Sequence, residues 1–327
     1  MPHPNAPSAP PLHVLLDRVA LAPRQVAKQL TLWPLVEIHE APAPRAAAYV
    51  TLGEAAAADA VCVEEVGALG IVPNVRVVNR GDRAVLVLFG EELRGAKQNR
   101  IANASFLVGA WSEVVIDVSC VEAGRWAQRD SLRFRLPSSV ASHALRKKMA
   151  LHVAESRRAG EGFDADQGAV WEEVALRLDH SRVRSATSSY SDYLEARASE
   201  LRGLEQAFRS VPGQVGFVAS IGEEIVGMEA IGRPYAFARA MPGLLQSYLI
   251  DAVDHALVRE RNLAGATSRR SAPGFDAPEP FLDALRAAEG TTSPSLGLGL
   301  DLRLHGPRVA GCALVEGEVV HLTAFAS

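Results

Sequence analysis

Polar side chains able to bind a ligand are concentrated in a short part of this sequence, beginning at residue 90. Residues 90–100 read GEELRGAKQNR and directly follow an apolar run at 84–89. Ligand-binding residues often lie where a buried strand gives way to a loop. Arginine can hold a phosphate or carboxylate with a planar pair of donors, and lysine can hold one as a point charge. We therefore expect a ligand site formed by Arg94, Gly95, Lys97, Gln98, Asn99 and Arg100.

Two carboxylates of the same region, Glu91 and Glu122, are the candidate catalytic residues, as acid and base or as metal-holding groups. Glu122 belongs to a second polar stretch, SCVEAGRW at residues 119–126. That stretch adds Arg125 and Trp126 as candidate binding residues, with the Trp126 ring available to stack on a base. A carboxylate that faces the protein interior needs a partner, and Arg125 or a basic residue of 94–100 could supply it. We expect the two stretches to meet in space, with strands 84–89 and 113–121 as neighbours.

The same residues also allow a purely structural interpretation. Residues 90–100 could form a solvated hairpin tip with local ion pairs, and Glu122 could belong to a salt bridge that has no catalytic role. Cys120 fits a small core residue better than a nucleophile, because no histidine lies near it in the sequence to activate the thiol. Both interpretations of the region stay open at this stage.

Known cofactor and metal motifs are absent from the sequence. It contains no HExxH, no pair of His or Cys at ligand spacing, no GxxxxGK[ST] and no GxSxG. No cofactor is therefore evident, and a divalent metal is unsupported by any ligand motif. His321 lies among apolar residues in VVHLTAF, which favours a hydrogen-bonded core histidine over a catalytic one.

The bulk properties narrow the class of protein. The 327 residues carry a formal net charge of −4, and no basic footprint marks duplex nucleic acid as a partner. No stretch approaches the roughly 20 apolar residues of a membrane helix. The three cysteines, Cys62, Cys120 and Cys312, are widely spaced, which fits a reducing compartment. We expect a cytoplasmic protein, and a homo-oligomer is compatible with the sequence.

The hydrophobic pattern predicts the elements that must position these residues. Strand character dominates from residue 30 to 121, and helical spacing replaces it after Pro137. Residues 138–210 are expected to form an insertion of three helices, and strand character returns at 214–230 and 299–324. The predicted fold is α+β, with a mixed, mostly antiparallel β core (a sheet or partly closed barrel) and further flanking helices. Residues 1–29 are expected to be disordered or loosely attached, ahead of a single domain at 30–327.

Four stretches of the sequence together resemble a known family. They are GEELRGAKQNR, VSCVEAGRW, IGEEIVGMEA and the terminal VHLTAF. The combination is similar to the ARG (ADP-ribosylglycohydrolase) and rhodanese-phosphatase-superfamily-associated protein domain, from about residue 30 to the C-terminus. The resemblance implies an uncharacterised cytoplasmic protein linked to NAD and ADP-ribose metabolism, without established catalytic residues. The positions that match the family pattern are Glu91, Gly95, Lys97, Gln98, Asn99, Arg100, Cys120, Glu122, Arg125 and Trp126.

Two hypotheses of different classes follow. In the first, residues 90–126 bind or process an ADP-ribose-like nucleotide, and an enzyme of this kind would be a hydrolase. Arg94, Lys97 and Arg100 would then hold phosphate, and Gln98 and Asn99 would contact ribose or amide groups. In the second, the protein is a non-enzymatic scaffold or partner-binding subunit, and the same residues form a structural polar network. A cluster that faces an open pocket favours the first hypothesis, and a fully paired cluster in a packed core favours the second.

Overall fold

The structure, a computed structural model, describes residues 10–38, 49–67, 72–127, 133–262 and 274–327. The helices within these residues are α1 (Pro10–Asp17), α2 (Leu52–Ala57), α3 (His143–Ala159), α4 (Gln167–Ser181), α5 (Tyr190–Glu205), α6 (Pro234–Asn262) and α7 (Pro278–Arg286). The strands are β1 (Val19–Leu21), β2 (Gln25–Ala27), β3 (Leu30–Glu37), β4 (Tyr49–Thr51), β5 (Val61–Glu65), β6 (Asn74–Asn79), β7 (Ala84–Val87), β8 (Glu92–Gly95), β9 (Arg100–Ala102), β10 (Phe106–Val108), β11 (Glu113–Cys120), β12 (Phe134–Arg135), β13 (Gln214–Ile221), β14 (Glu224–Ile231), β15 (Glu289–Pro294), β16 (Leu300–His305), β17 (Val309–Glu316) and β18 (Glu318–Ala326).

The strands form three sheets, and the α+β prediction is confirmed. A nine-stranded sheet has the order β1-β3-β13-β14-β18-β17-β16-β15, with β2 also pairing with β3. A six-stranded sheet has the order β12-β8-β9-β11-β6-β5, and a three-stranded sheet has the order β10-β7-β4. The pairs are antiparallel except for β4 and β7, which run parallel within the described part of the chain. The β core is therefore mixed and mostly antiparallel, as the sequence predicted.

The nine-stranded sheet is covered on both faces, and this explains why its central strands are apolar throughout. Phe217 and Ala219 on β13 belong to a core shared with α3 to α6, whereas Val218 between them belongs to a core shared with α1 and α7. Successive side chains of a strand point to opposite faces of its sheet, so both faces of β13 must be apolar. The two smaller sheets enclose a third core between them, to which β7, β10 and β11 contribute Val85, Phe106 and Ile116.

The helical stretch after Pro137 has the three helices that the periodicity predicted. Residues 138–210 are all described, and α3, α4 and α5 are the regular elements that they contain. Helix α3 begins at a cap in which Ser142 Oγ accepts a hydrogen bond from Leu145 N, and it ends at Gly160 with a φ of 80°. Serine at the N-cap and a left-handed glycine after the last turn are preferred helix ends. Helix α5 is the element that reaches the polar region at 90–126.

The expectation of a loosely attached segment up to residue 29 is wrong for residues 10–29. Helix α1 buries Leu12, Leu15 and Leu16 against the nine-stranded sheet and α7. Strands β1 and β2 both pair with β3 and so extend that sheet. The prolines and small residues of this segment are typical of a loose tail, but the three leucines lie on one face of α1 and attach it to the core. Residues 1–9 lie outside the described part of the chain.

Candidate functional site

The two polar stretches meet at the ends of neighbouring strands. Strands β8 and β9 form a hairpin, and β9 pairs with the end of β11, where Arg100 lies opposite Cys120. Asn99 N donates a hydrogen bond to Glu122 Oε2 at 3.1 Å, and Val121 N donates to Asn99 O at 3.0 Å. The expected strand neighbours were wrong, however. The apolar run at 84–87 is β7, which pairs with β4 and β10, and β11 pairs instead with β6 and β9.

Glu122 is an enclosed carboxylate surrounded by donors. Arg125 donates to it from Nε at 2.9 Å and from Nη2 at 2.6 Å, and Thr187 Oγ1 donates at 2.8 Å. Burial raises the pKa of Glu122, but the hydrogen bonds from Arg125 and Thr187 outweigh burial and hold the pKa below its ordinary value. Glu122 is therefore an ionised partner of Arg125, as the sequence analysis allowed.

The Arg125 side chain connects the loop between β8 and β9 to the segment that follows β11. Beyond its pair with Glu122, its guanidinium donates to the carbonyl oxygens of Gly95, Ala96 and Ala127. Gln98 is buried beside it and donates to the Glu122 carbonyl oxygen at 3.1 Å. The bonds to Gly95 and Ala96 and the bond from Gln98 connect the two polar stretches and restrict the backbone of GEELRGAKQNR.

Arg100, Lys97 and Trp126 lie on another side of the same loop. The Arg100 guanidinium bonds both oxygens of Glu65, at 3.2 and 3.0 Å, and both side chains are fully buried. The Trp126 ring is about half-exposed, with Lys97 Nζ 5.3 Å from its centroid. A cation above an aromatic face is a stabilising contact. Lys97 also donates from its backbone N–H to Glu65 Oε1.

Glu92 and Arg94 connect the loop to α5. The buried Glu92 carboxylate accepts hydrogen bonds from the hydroxyls of Ser139 and Ser191, and it pairs with Arg94 Nε at 3.0 Å. Arg94 Nη1 reaches Glu195 on α5 at 2.8 Å. Asn99 adds a further connection, since its Nδ2 donates to Ser191 Oγ at 2.9 Å. We call Glu92, Arg94, Asn99, Glu122 and Arg125 the cavity network, because a cavity opens beside them.

That cavity has a volume of about 350 Å³ and lies between β8 and the start of α5. Its wall carries polar groups of several kinds, from Arg94, Gly95, Asn99, Arg135, Ser191 and Asp192. Arg135 is exposed, and its guanidinium forms no ion pair or hydrogen bond with the residues that the structure describes. The Asp192 carboxylate accepts a hydrogen bond from Ser185 Oγ at 2.6 Å. The wall therefore presents cationic, amide, hydroxyl and carboxylate groups to one space.

Glu91 is buried away from this cavity. Its Oε2 accepts a hydrogen bond from Leu88 N at 2.9 Å, and burial raises its pKa to about 7. Gly90 beside it has a φ of 79°, and a Cβ added there would meet Arg146 Cδ at 2.4 Å. The turn at this glycine therefore depends on both its left-handed backbone and its missing side chain.

A second group of buried charges lies deeper in the protein. Arg146 Nη2 on α3 is 2.8 Å from Glu229 Oε1 on β14, and His321 Nε2 on β18 is 3.2 Å from Glu229 Oε2. His321 Nδ1 in turn contacts Ser105 Oγ at 2.6 Å, and Tyr248 donates to Glu229 at 3.0 Å. Burial raises the pKa of Glu229, but Arg146 and His321 outweigh burial and bring it to about 2. We call these five residues the core cluster, and His321 is the hydrogen-bonded core histidine that the sequence predicted.

Comparison with known proteins decides the family. The model of the ARG and Rhodanese-Phosphatase-superfamily-associated Protein domain matches residues 18–325. The chain belongs to this family. No curated protein and no solved structure matches the chain. The association with ADP-ribosylglycohydrolase and rhodanese-phosphatase contexts applies to the family and leaves its activity uncharacterised.

The positions that match the ARG and Rhodanese-Phosphatase-superfamily-associated pattern are divided by the structure into two groups. Gly95 and Asn99 line the cavity, as does the predicted binding residue Arg94. The remaining ones do not line the cavity, and they are Glu91, Lys97, Gln98, Arg100, Cys120, Glu122, Arg125 and Trp126. Burial raises the pKa of the Cys120 thiol, which fits a core residue. Most of these positions therefore contribute to the structure in and around the loop between β8 and β9, and only a few of them line the cavity.

Several residues of this site were missed in the sequence, chiefly Thr187, Ser191, Asp192 and Arg135. The first three lie in or directly after the polar run RSATSSYS at 184–191, which leads into α5. The Ser189 hydroxyl makes no cap to α5 and accepts from Asn99 Nδ2 instead. The signal available in the sequence was the length of this polar run, which is longer than a helix N-cap requires.

Metal and membrane sites are not indicated in the described part of the chain. Its residues contain no group of three or more His, Cys, Asp or Glu placed to hold a metal ion. Among the described helices, none has both the length and the apolar character needed to cross a membrane.

Proposed function

We propose that the protein binds an ADP-ribose-like, phosphate-bearing nucleotide in the cavity between β8 and α5. The observation that carries this proposal is the composition of the cavity wall. Two arginines, Arg94 and Arg135, line a space of about 350 Å³ together with Ser191 and Asp192. Ligand sites in proteins commonly have volumes of about 300–1,000 Å³.

Each group on the wall suits one part of such a ligand. Guanidinium groups bind phosphate through paired, charge-assisted hydrogen bonds. A carboxylate such as Asp192 can accept hydrogen bonds from ribose hydroxyls, as acidic residues do in dinucleotide-binding folds. The start of α5 also faces this region through Ser191 and Asp192. The first N–H groups of a helix favour an anion near them.

The rest of the cavity network supports the wall. Glu122 and Arg125 hold the loop that presents Gly95 and Asn99, and both are at least nine-tenths buried. We assign them a positioning role in ligand binding. If the bound nucleotide is hydrolysed, the carboxylates nearest to it are those of Asp192 and Glu195 on the cavity wall. The three buried cysteines are free, which supports placing this function in the cytoplasm.

A second candidate function is a scaffold or partner-binding subunit without a ligand. The observation in its favour is the completeness of the buried ion pairs, above all Arg100 with Glu65, where both side chains are fully enclosed. A network of this kind stabilises one conformation of a core and needs no ligand. The two candidates differ in one testable respect, which is whether a small phosphate-bearing molecule binds at Arg135.

The test is calorimetric titration of the whole protein with ADP-ribose. We compare the wild type with Arg135→Gln, and the matched control is Arg24→Gln, an exposed arginine outside the cavity wall. The wild type and the control should bind equally, and Arg135→Gln should bind about tenfold more weakly, because a hydrogen bond to a charged group contributes about 1.5–3 kcal/mol. A wild type that binds no phosphate-bearing nucleotide would favour the scaffold.

A further inference from the structure

A second cavity adjoins the one beside β8, further along α5. It has a volume of about 270 Å³ and shares Arg94, Pro137 and Glu195 with the first. From Ser191 at the first cavity to Glu205 at the second, the axis of α5 advances by roughly 21 Å at 1.5 Å per residue. We call the two adjoining cavities together the groove.

The far end of the groove differs from the phosphate end in its chemistry. Its sides are formed by apolar groups of Leu194, Ala198 and Pro242. Apart from Arg94, which both cavities share, the polar residues there are neutral or acidic, and they include Gln246 and Glu205. Gln246 is half-buried, and its amide makes no hydrogen bond to the residues that the structure describes. A half-buried amide in this position has donors and an acceptor available for a ligand.

Glu205 is suited to a hydrogen bond at this end. It is half-buried, and burial raises its pKa above the ordinary value, with Arg202 acting in the opposite direction. A second phosphate would be less favoured here than at the first cavity, because Glu195 and Glu205 both line this end, and the second arginine, Arg135, lines only the first cavity. The far end therefore suits a neutral group with apolar faces and hydrogen-bonding edges.

Close packing holds one wall of this end in place. A Cβ added at Gly243 would lie 2.3 Å from the carbonyl oxygen of Ser138, so α6 lies directly against the segment that carries Pro137. Pro242 precedes this glycine inside α6 and lines the groove. The Pro242 ring therefore lies on a closely packed wall and offers an apolar surface to a planar ligand group.

We infer that the far end of the groove binds the aminopurine ring of the nucleotide, with Leu194 and Pro242 against the ring and Gln246 and Glu205 at its edge. Glutamine pairs with adenine by donating to N7 and accepting from the exocyclic amine, and a carboxyl oxygen also accepts from an amine. This inference rests on the proposed function, since the phosphates at Arg94 and Arg135 determine which end is left for the base. The inference thus places the adenine base of the proposed nucleotide at this end of the groove.

The test uses two probes, ADP and ribose 5-phosphate, and the variant Gln246→Leu in the whole protein. We expect Gln246→Leu to weaken ADP binding by at least tenfold and to leave ribose 5-phosphate binding unchanged. Gln206→Leu is the matched control, because Gln206 is an exposed glutamine outside the groove lining. Gln246→Glu, which keeps the size of the side chain, provides a second variant if Gln246→Leu fails to fold.

The outcomes separate the inference from the proposed function. Equal binding of ADP by the wild type and Gln246→Leu, with ribose 5-phosphate still sensitive to Arg135→Gln, overturns the base assignment and leaves the phosphate site intact. Loss of both probes in Gln246→Leu, with an unchanged melting temperature, also overturns it, since the effect would not be specific to the base. A wild type that binds neither probe overturns the proposed function and the base assignment together.

Discussion

The core cluster and the cavity network are both groups of buried charges, but they differ in what surrounds them. In the core cluster Arg146, Glu229 and His321 are at most 1 % exposed, and they connect α3 to two strands of the nine-stranded sheet. In the cavity network Arg94 keeps 22 % of its side chain exposed and lines an open space. The cavity wall also carries Arg135, whose guanidinium has no partner among the described residues.

This difference bears on how buried charges should be interpreted. Burial and ion pairing occur in both groups, so neither property identifies a ligand site by itself. A site needs groups with unused hydrogen-bonding capacity in a space that a ligand can enter. The cavity region meets this requirement through Arg135 and Gln246, whereas the hydrogen bonds of Glu229 in the core cluster come from the protein itself. We expect the two groups to respond differently to substitution.

The largest effect is expected from Glu229→Gln in the core cluster. Arg146 would be left buried without its carboxylate, and breaking such a pair costs about 3–5 kcal/mol of unfolding free energy. Urea denaturation monitored by circular dichroism measures the loss. The control is Glu200→Gln, which removes the partly exposed pairs with Lys28 and Arg197 and should cost under about 1 kcal/mol. Similar losses in both variants would contradict the structural role of the core cluster.

A somewhat smaller loss is expected from Glu122→Gln in the cavity network. Arg125 would keep its hydrogen bonds to the carbonyl oxygens of Gly95, Ala96 and Ala127, which compensate in part for the missing charge. We expect a loss of about 3 kcal/mol, because hydrogen bonds to charged groups contribute about 1.5–3 kcal/mol each. The same urea experiment measures it. A Glu122→Gln protein as stable as the wild type would show that the network does not support the loop.

The pH dependence of the unfolding free energy should show the titration of Glu91, which belongs to neither the core cluster nor the cavity network. Its pKa in the folded protein is about 7, above the ordinary 4.5, so the folded state binds the extra proton and stability falls as pH rises through this range. Between pH 5 and pH 7 the loss should be about 2 kcal/mol. Glu91→Gln removes the titrating group. The difference in unfolding free energy between the variant and the wild type should therefore change by that amount between pH 5 and pH 7. Parallel pH profiles would contradict the assignment.

The smallest effect on stability is expected at Arg135. Arg135→Gln changes an exposed side chain without an ion pair, and the unfolding free energy should stay within about 0.5 kcal/mol of the wild type. Its effect should appear only in ligand binding. This combination of a stable fold and weakened binding is the inverse of the Glu229→Gln result. A large loss of stability in Arg135→Gln would remove the contrast between the two regions.

Local patterns in the sequence predicted much of the fold. The apolar run at β7, the helical spacing after Pro137 and the β-branched run at β11 each determine a local structure, and all three are present. The strand pairing was harder to predict, because β7 and β11 are similarly apolar and yet belong to different sheets. The apolar character of a strand predicts that it is buried, but it does not indicate which strand pairs with it.

The candidate site was predictable only in part, for a related reason. Glu122 and Arg125 are three positions apart, so their ion pair could be suggested from the sequence. The partner of Arg100 is Glu65, 35 residues away, and Asn99 bonds Ser191, 92 residues away. These contacts depend on how β5 and α5 are placed in the complete fold. Arg135 had no local signal, since a single exposed arginine on a short strand resembles any other.

Hydrogen exchange with and without ADP-ribose tests the central claim most directly, because it locates the binding site without any substitution. The account predicts slower amide exchange at residues 94–99, 134–139 and 191–198 when the nucleotide is present at saturating concentration, with little change elsewhere. Binding that slows exchange instead at residues 143–151 and 221–226, around the separate cavity of about 760 Å³, would contradict it. Unchanged exchange throughout the protein would contradict it as well and would leave the scaffold function.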